Sequence, residues 1–160
     1  MGTAFACVLL GSLASATVFD LRERRIPNRL VLFMIVGWLV LVMGTGAIAG
    51  DGAKAGELLT KGLQGGLLLG GGSLLLAVVY ERMRGQASLG GGDVKLLFVL
   101  GLYLGFAKGS LCVLFACLGA AILAWVVPHT PFANAPGAKA GQIPFAPTLF
   151  VGVALTLALV

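Results

Sequence analysis

The chain reads as a series of long uncharged apolar runs separated by short polar links, and that alternation predicts its elements. Residues 1–19 carry no charge and end at Asp20 and the cluster Arg22, Glu23, Arg24, Arg25 and Arg29. Residues 30–50 form a second uncharged run, followed by a polar link holding Asp51, Lys54, Glu57 and Lys61. Residues 62–80 form a glycine-rich third run, closed by Glu81, Arg82 and Arg84. A shorter fourth run, 94–107, has Lys95 near its start and Lys108 after its end. A fifth covers 109–127, and a proline-rich link around His129 separates it from a sixth, 143–160. Apart from the shorter fourth, each run approaches the ~20 residues of α-helix that match the hydrocarbon thickness of a bilayer. The expected fold is therefore all-α, a polytopic integral membrane protein of six transmembrane helices in a single domain over residues 1–160.

Composition supports that class. Of 160 residues, 59% are hydrophobic and 11% charged, with a mean hydropathy of +1.04. No single soluble core buries so large an apolar share, whereas lipid receives it directly. The net charge of +5 raises nucleic acid as a partner, but the basic residues gather between apolar runs, where cytoplasmic loops carry them. No nucleic-acid partner is expected. Cys7, Cys112 and Cys117 lie in apolar runs without a C-x-x-C pair, so no metal site or disulfide framework is predicted. Ala14-Ser15-Ala16 imitates a signal cleavage site, but no basic residue precedes it, and the first run is read as a retained helix.

With six passes, the first, third and fifth links share one face. They hold Arg22, Arg24, Arg25, Arg29, Arg82, Arg84 and Lys139, against Lys54, Lys61 and Lys108 in the second and fourth. The positive-inside bias makes the odd links cytoplasmic and puts both termini outside. Parity then brings Asp20, at the end of the first helix, and Asp93, at the start of the fourth, to the same membrane face. Asp51 falls on the other. Ionisable groups at membrane depth are costly and mark functional sites by default. Asp93 follows Gly90-Gly91-Gly92, a run whose lack of side chains admits sharp turns and the close approach of another chain.

Two carboxylates at one site can share a proton, because like charges close together do not both ionise easily. The ionised member then takes a proton from water attacking a peptide carbonyl, while its protonated partner polarises the carbonyl oxygen. That chemistry needs neither metal nor other cofactor. The competing structural reading has both acids in ion pairs with Arg22, Arg25 or Lys95, fixing helix ends only, or has Asp93 as a helix cap.

The segment Phe19-Asp20-Leu21-Arg22-Glu23-Arg24-Arg25-Ile26-Pro27-Asn28 resembles the first aspartate motif of the type IV prepilin peptidases. Gly90-Gly91-Gly92-Asp93-Val94-Lys95-Leu96 resembles their G-x-G-D-x-K segment, and Ile143-Pro144-Phe145-Ala146-Pro147 is similar to the start of their last helix. The resemblance covers nearly the whole chain. It implies an aspartic endopeptidase of the cell inner membrane that removes the basic leader of prepilin or pseudopilin precursors at the cytoplasmic face, working with the pilus assembly machinery. Asp20 and Asp93 would be its catalytic pair, and Ile26, Pro27, Asn28, Gly90, Gly92, Lys95 and Pro144 its supporting positions. The chain resembles the short, peptidase-only members of tight-adherence (Flp) pilus systems, with no methyltransferase domain expected and preflagellin peptidases more distant.

Two rivals remain at this point. A presenilin-type protease shares the G-x-G-D turn, but it sets its first acid in a Tyr-Asp pair that Asp20 lacks. A small proton- or cation-coupled transporter or assembly subunit also uses intramembrane carboxylates. Lys95, two residues past Asp93, falls on a different helical face and is expected to snorkel to the interface. His129 is read as a loop residue, Trp38 and Trp125 as packing or interfacial anchors, and the basic cluster at Arg22–Arg29 as a topology signal in contact with lipid. The glycines Gly44, Gly46, Gly65, Gly66 and Gly70–Gly72 are expected to permit close helix contacts.

Overall fold

The computed structural model describes residues 3–23, 26–50, 52–84, 90–126 and 145–159, and every element among them is helical. In order these are α1 (Thr3–Glu23), α2 (Asn28–Ala49), α3 (Gly52–Gly66), a π-helical turn (Leu67–Gly71), α4 (Gly72–Arg84), α5 (Gly91–Val126) and α6 (Phe145–Leu159). Among the described residues, four segments are long and apolar enough to cross a membrane: Thr3–Asp20, Asn28–Ile48, Gly52–Met83 and Gly91–Ile122, with Ala146–Leu159 as a shorter apolar helix. Large apolar side chains such as Leu32, Phe33, Val40, Leu75, Leu76 and Met83 point outward. An exposed apolar surface of that extent suits lipid rather than water.

The core follows helical periodicity. Phe5, Leu9, Leu13 and Ala16 bury one stripe of α1, and Val31, Met34, Trp38 and Val42 bury one stripe of α2. Ala146, Leu149 and Val153 do the same for α6. The first part of α5 differs, because Leu96, Leu97, Val99, Leu100, Leu102, Tyr103 and Leu104 are all buried. A helix buried on every side is the one the others surround. Tyr103 ties it to its neighbours: its hydroxyl donates to the Met34 carbonyl at 2.8 Å, and its ring meets Phe5 edge-on at 6.3 Å between centroids.

The structure redraws two boundaries. The polar link expected to hold Lys54, Glu57 and Lys61 is helical, because α3 starts at Gly52. Glu57 and Lys61 stand one turn apart and pair at 2.6 Å on its exposed side, as oppositely charged residues at that spacing do. The segment Gly52–Met83 has 32 residues, about 48 Å of helix, so it outruns a hydrocarbon layer of about 30 Å.

The second redrawn boundary concerns the expected fourth and fifth helices. They form the single element α5, which breaks at Gly105 rather than beside Lys108. Gly105 has φ 71° and ψ 179°, a conformation that glycine adopts without the Cβ clash other residues suffer. The chain doubles back there. A Cβ on Gly109 would lie 3.9 Å from the Gly101 Cα, although eight residues of straight helix span about 12 Å. Backbone freedom, not charge, sets this boundary.

Close packing through glycine holds α3 against the first limb of α5. A Cβ on Gly65 would stand 2.5 Å from the Gly101 carbonyl oxygen, and one on Gly70 2.6 Å from the Phe98 Cβ. Only glycine permits backbones this near. Gly44, Gly71 and Gly72 instead face open space, so that part of the expectation fails for them. The second limb of α5 packs on α6, where a Cβ on Gly152 would meet the Cys112 carbonyl at 2.7 Å.

Candidate active site

Asp20 lies in the last turn of α1, half-buried. Its Oδ2 accepts a hydrogen bond at 3.2 Å from the backbone N–H of Ala146, in the first turn of α6. The opening amides of a helix have no partner within it and carry the positive end of its dipole, so a carboxylate is a natural occupant there. Among the described residues, no ion pair ties Asp20 to a basic side chain.

Asp93 lies in the first turn of α5, also half-buried. Its backbone N–H donates to the Gly90 carbonyl at 2.9 Å, and its carboxylate accepts the Gly90 N–H. A Cβ on Gly90 would stand 3.2 Å from the Asp93 Oδ2, so glycine there leaves room for the carboxylate to fold back over its own turn. Asp20 and Asp93 are close enough to interact electrostatically. The two acids thus share one end of the bundle, joined there by the start of α6. Asp93 is the third residue of α5, and Gly90 rather than Asp93 occupies the cap position; among the described residues, neither acid is ion-paired with Lys95 or Arg22. Arg25 lies outside the described residues.

Ile26, Pro27, Asn28, Gly92 and Lys95, which the resemblance singles out, make contacts at the entry to α2 and in the first turns of α5. Pro27 precedes α2 with φ −66° and ψ 133°, and its carbonyl accepts the N–H groups of Leu30 at 3.0 Å and Val31 at 3.4 Å. Proline suits this place because it lacks a donor and its φ is preset. Ile26 rests on Gly92, where a Cβ would stand 3.1 Å from its Cδ1. Lys95, which is exposed, donates from Nζ to Asn28 Oδ1 at 2.7 Å. Pro144 and His129 lie outside the described residues. Among the described residues no three His, Cys, Asp or Glu side chains gather into a metal-binding group.

Ala146 was not visible as a site residue in the sequence, since its contribution is a main-chain amide. The signal was present nonetheless. Pro144 and Pro147 mark a helix start in the sequence, and Ala146 between them, unlike the prolines, has an N–H to donate.

Two cavities flank the central helix. One of about 670 Å³ runs between α2, the π turn, α4 and α5, lined by Asn28, Val31, Leu67, Gly70, Lys95 and Phe98 among others. It also touches Val94, the neighbour of Asp93. The other, of about 790 Å³, surrounds the Gly105 turn at the far end of the bundle from the acids. Neither acid lines either of these two cavities; the first comes within one residue of Asp93, at Val94.

Long apolar helices that bring two acids together at one end define a helical bundle of membrane type with a carboxylate site. The chain belongs to the type IV leader peptidase family, whose model matches residues 7–125. That stretch contains both acids, Ile26 to Asn28 and Gly90 to Lys95. No curated protein and no solved structure matches the chain.

Proposed function

We propose that this peptidase is an intramembrane aspartic endopeptidase that cleaves the basic N-terminal leader from type IV prepilin-like precursors, of the Flp type, at the cytoplasmic face of the inner membrane. The observation that carries the reading is the meeting of Asp20 and Asp93, from opposite ends of two helices, in a chain of the leader peptidase family. α1, α2, the continuous α3 to α4 segment, the two limbs of α5, and α6 make six passes. The end bearing Arg22 and the acids faces the cytoplasm, following the excess of basic residues there.

In the reaction, water enters between the carboxyl groups. The ionised one removes a proton as the water oxygen bonds to the scissile carbonyl carbon, and the protonated one gives its proton to the carbonyl oxygen. The tetrahedral intermediate then collapses. Its C–N bond breaks, the acid that gained the water proton passes it to the departing amine, and the other recovers its own from the hydroxyl. The precursor's scissile bond meets the acids at their end of the bundle, and its basic leader stays at the interface.

The test is processing of a precursor by Asp20→Asn and Asp93→Asn variants. Each is expected to lose leader removal by at least ~10²-fold, in line with the loss of a general acid or base, with unchanged accumulation in the membrane. Normal processing by either variant ends the two-acid reading.

A further inference from the structure

Gly92 and Lys95 stand three residues apart on α5 and therefore share a face of the helix. The segment entering α2 lies along that face, touching it at two points. Ile26 covers Gly92, where even a methyl group would stand 3.1 Å from the isoleucine Cδ1. Asn28 Oδ1 accepts the Lys95 ammonium at 2.7 Å across 67 positions of sequence. Asp93 lies between Gly92 and Lys95 and projects from a different face of the same turn. One turn of α5 thus presents an acid on one side and grips the segment following the other acid on another. Only five residues separate Asp20 from Ile26, so whatever fixes Ile26 and Asn28 limits where Asp20 can lie.

We propose that Ile26 on Gly92 and Asn28 on Lys95 form a two-point latch that sets the spacing between Asp20 and Asp93, with Asn28 and Lys95 as positioning residues. The inference rests on the endopeptidase reading above. Its chemistry is specific. An amide oxygen at position 28 accepts the ammonium without adding a third negative charge beside two carboxylates, where like charges repel. The apolar point fixes distance and the polar point fixes rotation, because an ammonium-to-amide hydrogen bond weakens steeply off its axis.

The experiment measures kcat and KM for precursor cleavage by the purified full chain in bilayer vesicles. Lys95→Met and Asn28→Leu are each expected to lower kcat by about tenfold or more, as small misplacements of reacting groups do, with KM within about twofold. The double variant is expected to be no slower than the slower single variant, since both remove one interaction. Lys95→Arg recovers most of the lost kcat. Gly92→Ala lowers kcat by displacing Ile26, and adding Ile26→Val restores it by removing the Cδ1 that the new methyl meets. This last pair reads the latch even if Lys95→Met fails to accumulate.

A rise in KM alone would make Lys95 a substrate contact and overturn the latch. So would losses that multiply in the double variant, unchanged kcat in the single variants, or failure of Ile26→Val to rescue Gly92→Ala. The Asp20→Asn and Asp93→Asn controls separate the two claims. If they are inactive while the latch variants behave as wild type, only the latch is lost.

Discussion

A carboxylate at the mouth of a helix takes its character from the amides around it, and here the two acids are served differently. Asp93 folds back on the Gly90 amide of its own turn, whereas Asp20 takes its amide from a helix more than a hundred residues away, at Ala146. The second arrangement makes α6 part of the site. Ala146→Pro removes that donor at a helix position where proline is tolerated. Leader cleavage is expected to fall by about tenfold, in keeping with losing a hydrogen bond to a charged group, while membrane accumulation persists. Comparing initial cleavage rates at equal protein checks it. At this scale the two acids and the glycines before Asp93 were legible, because their residue types in an apolar chain announce themselves. The amide of Ala146 was not, since every residue except proline carries one. The Asn28–Lys95 bond was hidden too: helical spacing separates Lys95 from Asp93 but does not say what lies on the face it occupies.

Helix boundaries and helix contacts show the same division. The apolar runs located α1 and α2 closely, because lipid and core both demand the same uninterrupted pattern. Charge misled elsewhere. Lys54, Glu57 and Lys61 suggest a link although their spacing fits one exposed helical side, and Lys108 suggests a boundary that Gly105, the residue whose backbone turns, sets instead. Sequence also cannot tell a glycine that touches from one that does not. Gly101 lies against Gly65, so Gly101→Ala forces two backbones apart and is expected to destabilise the bundle by about 1–3 kcal/mol. Gly44 has nothing within 4 Å of an added Cβ, and Gly44→Ala is expected to be neutral or to stabilise α2 by up to about 1 kcal/mol. Thermal unfolding of both variants in detergent measures the contrast, and equal melting temperatures would refute it.

For the molecule as a whole, the pattern of runs suffices for an all-helical chain with membrane-length segments. Counting passes puts Asp20 and Asp93 at one end, a count that tolerates errors of a few residues at each boundary, and the two acids do lie close enough to interact. The orientation remains a prediction. With Cys7, Cys112 and Cys117 replaced by serine, single cysteines at Arg22 and Lys54 are expected to react with an impermeant maleimide from opposite sides of the membrane, Arg22 from the cytoplasm. Labelling of both from the same side would dismantle the six-pass arrangement.

The wide turn at Leu67–Gly71 carries one implication for how this scaffold tolerates change. A single surplus residue advances the angular phase of everything downstream by about 100°, so α4 presents a different azimuth to its surroundings than an uninterrupted continuation of α3 would. Excising Gly71, which has nothing within 4 Å of an added Cβ, would swing Leu74 away from the cavity wall it now forms while sparing the glycine contacts at Gly65, Gly66 and Gly70. Length variation at this point would reshape that cavity without disturbing the acids.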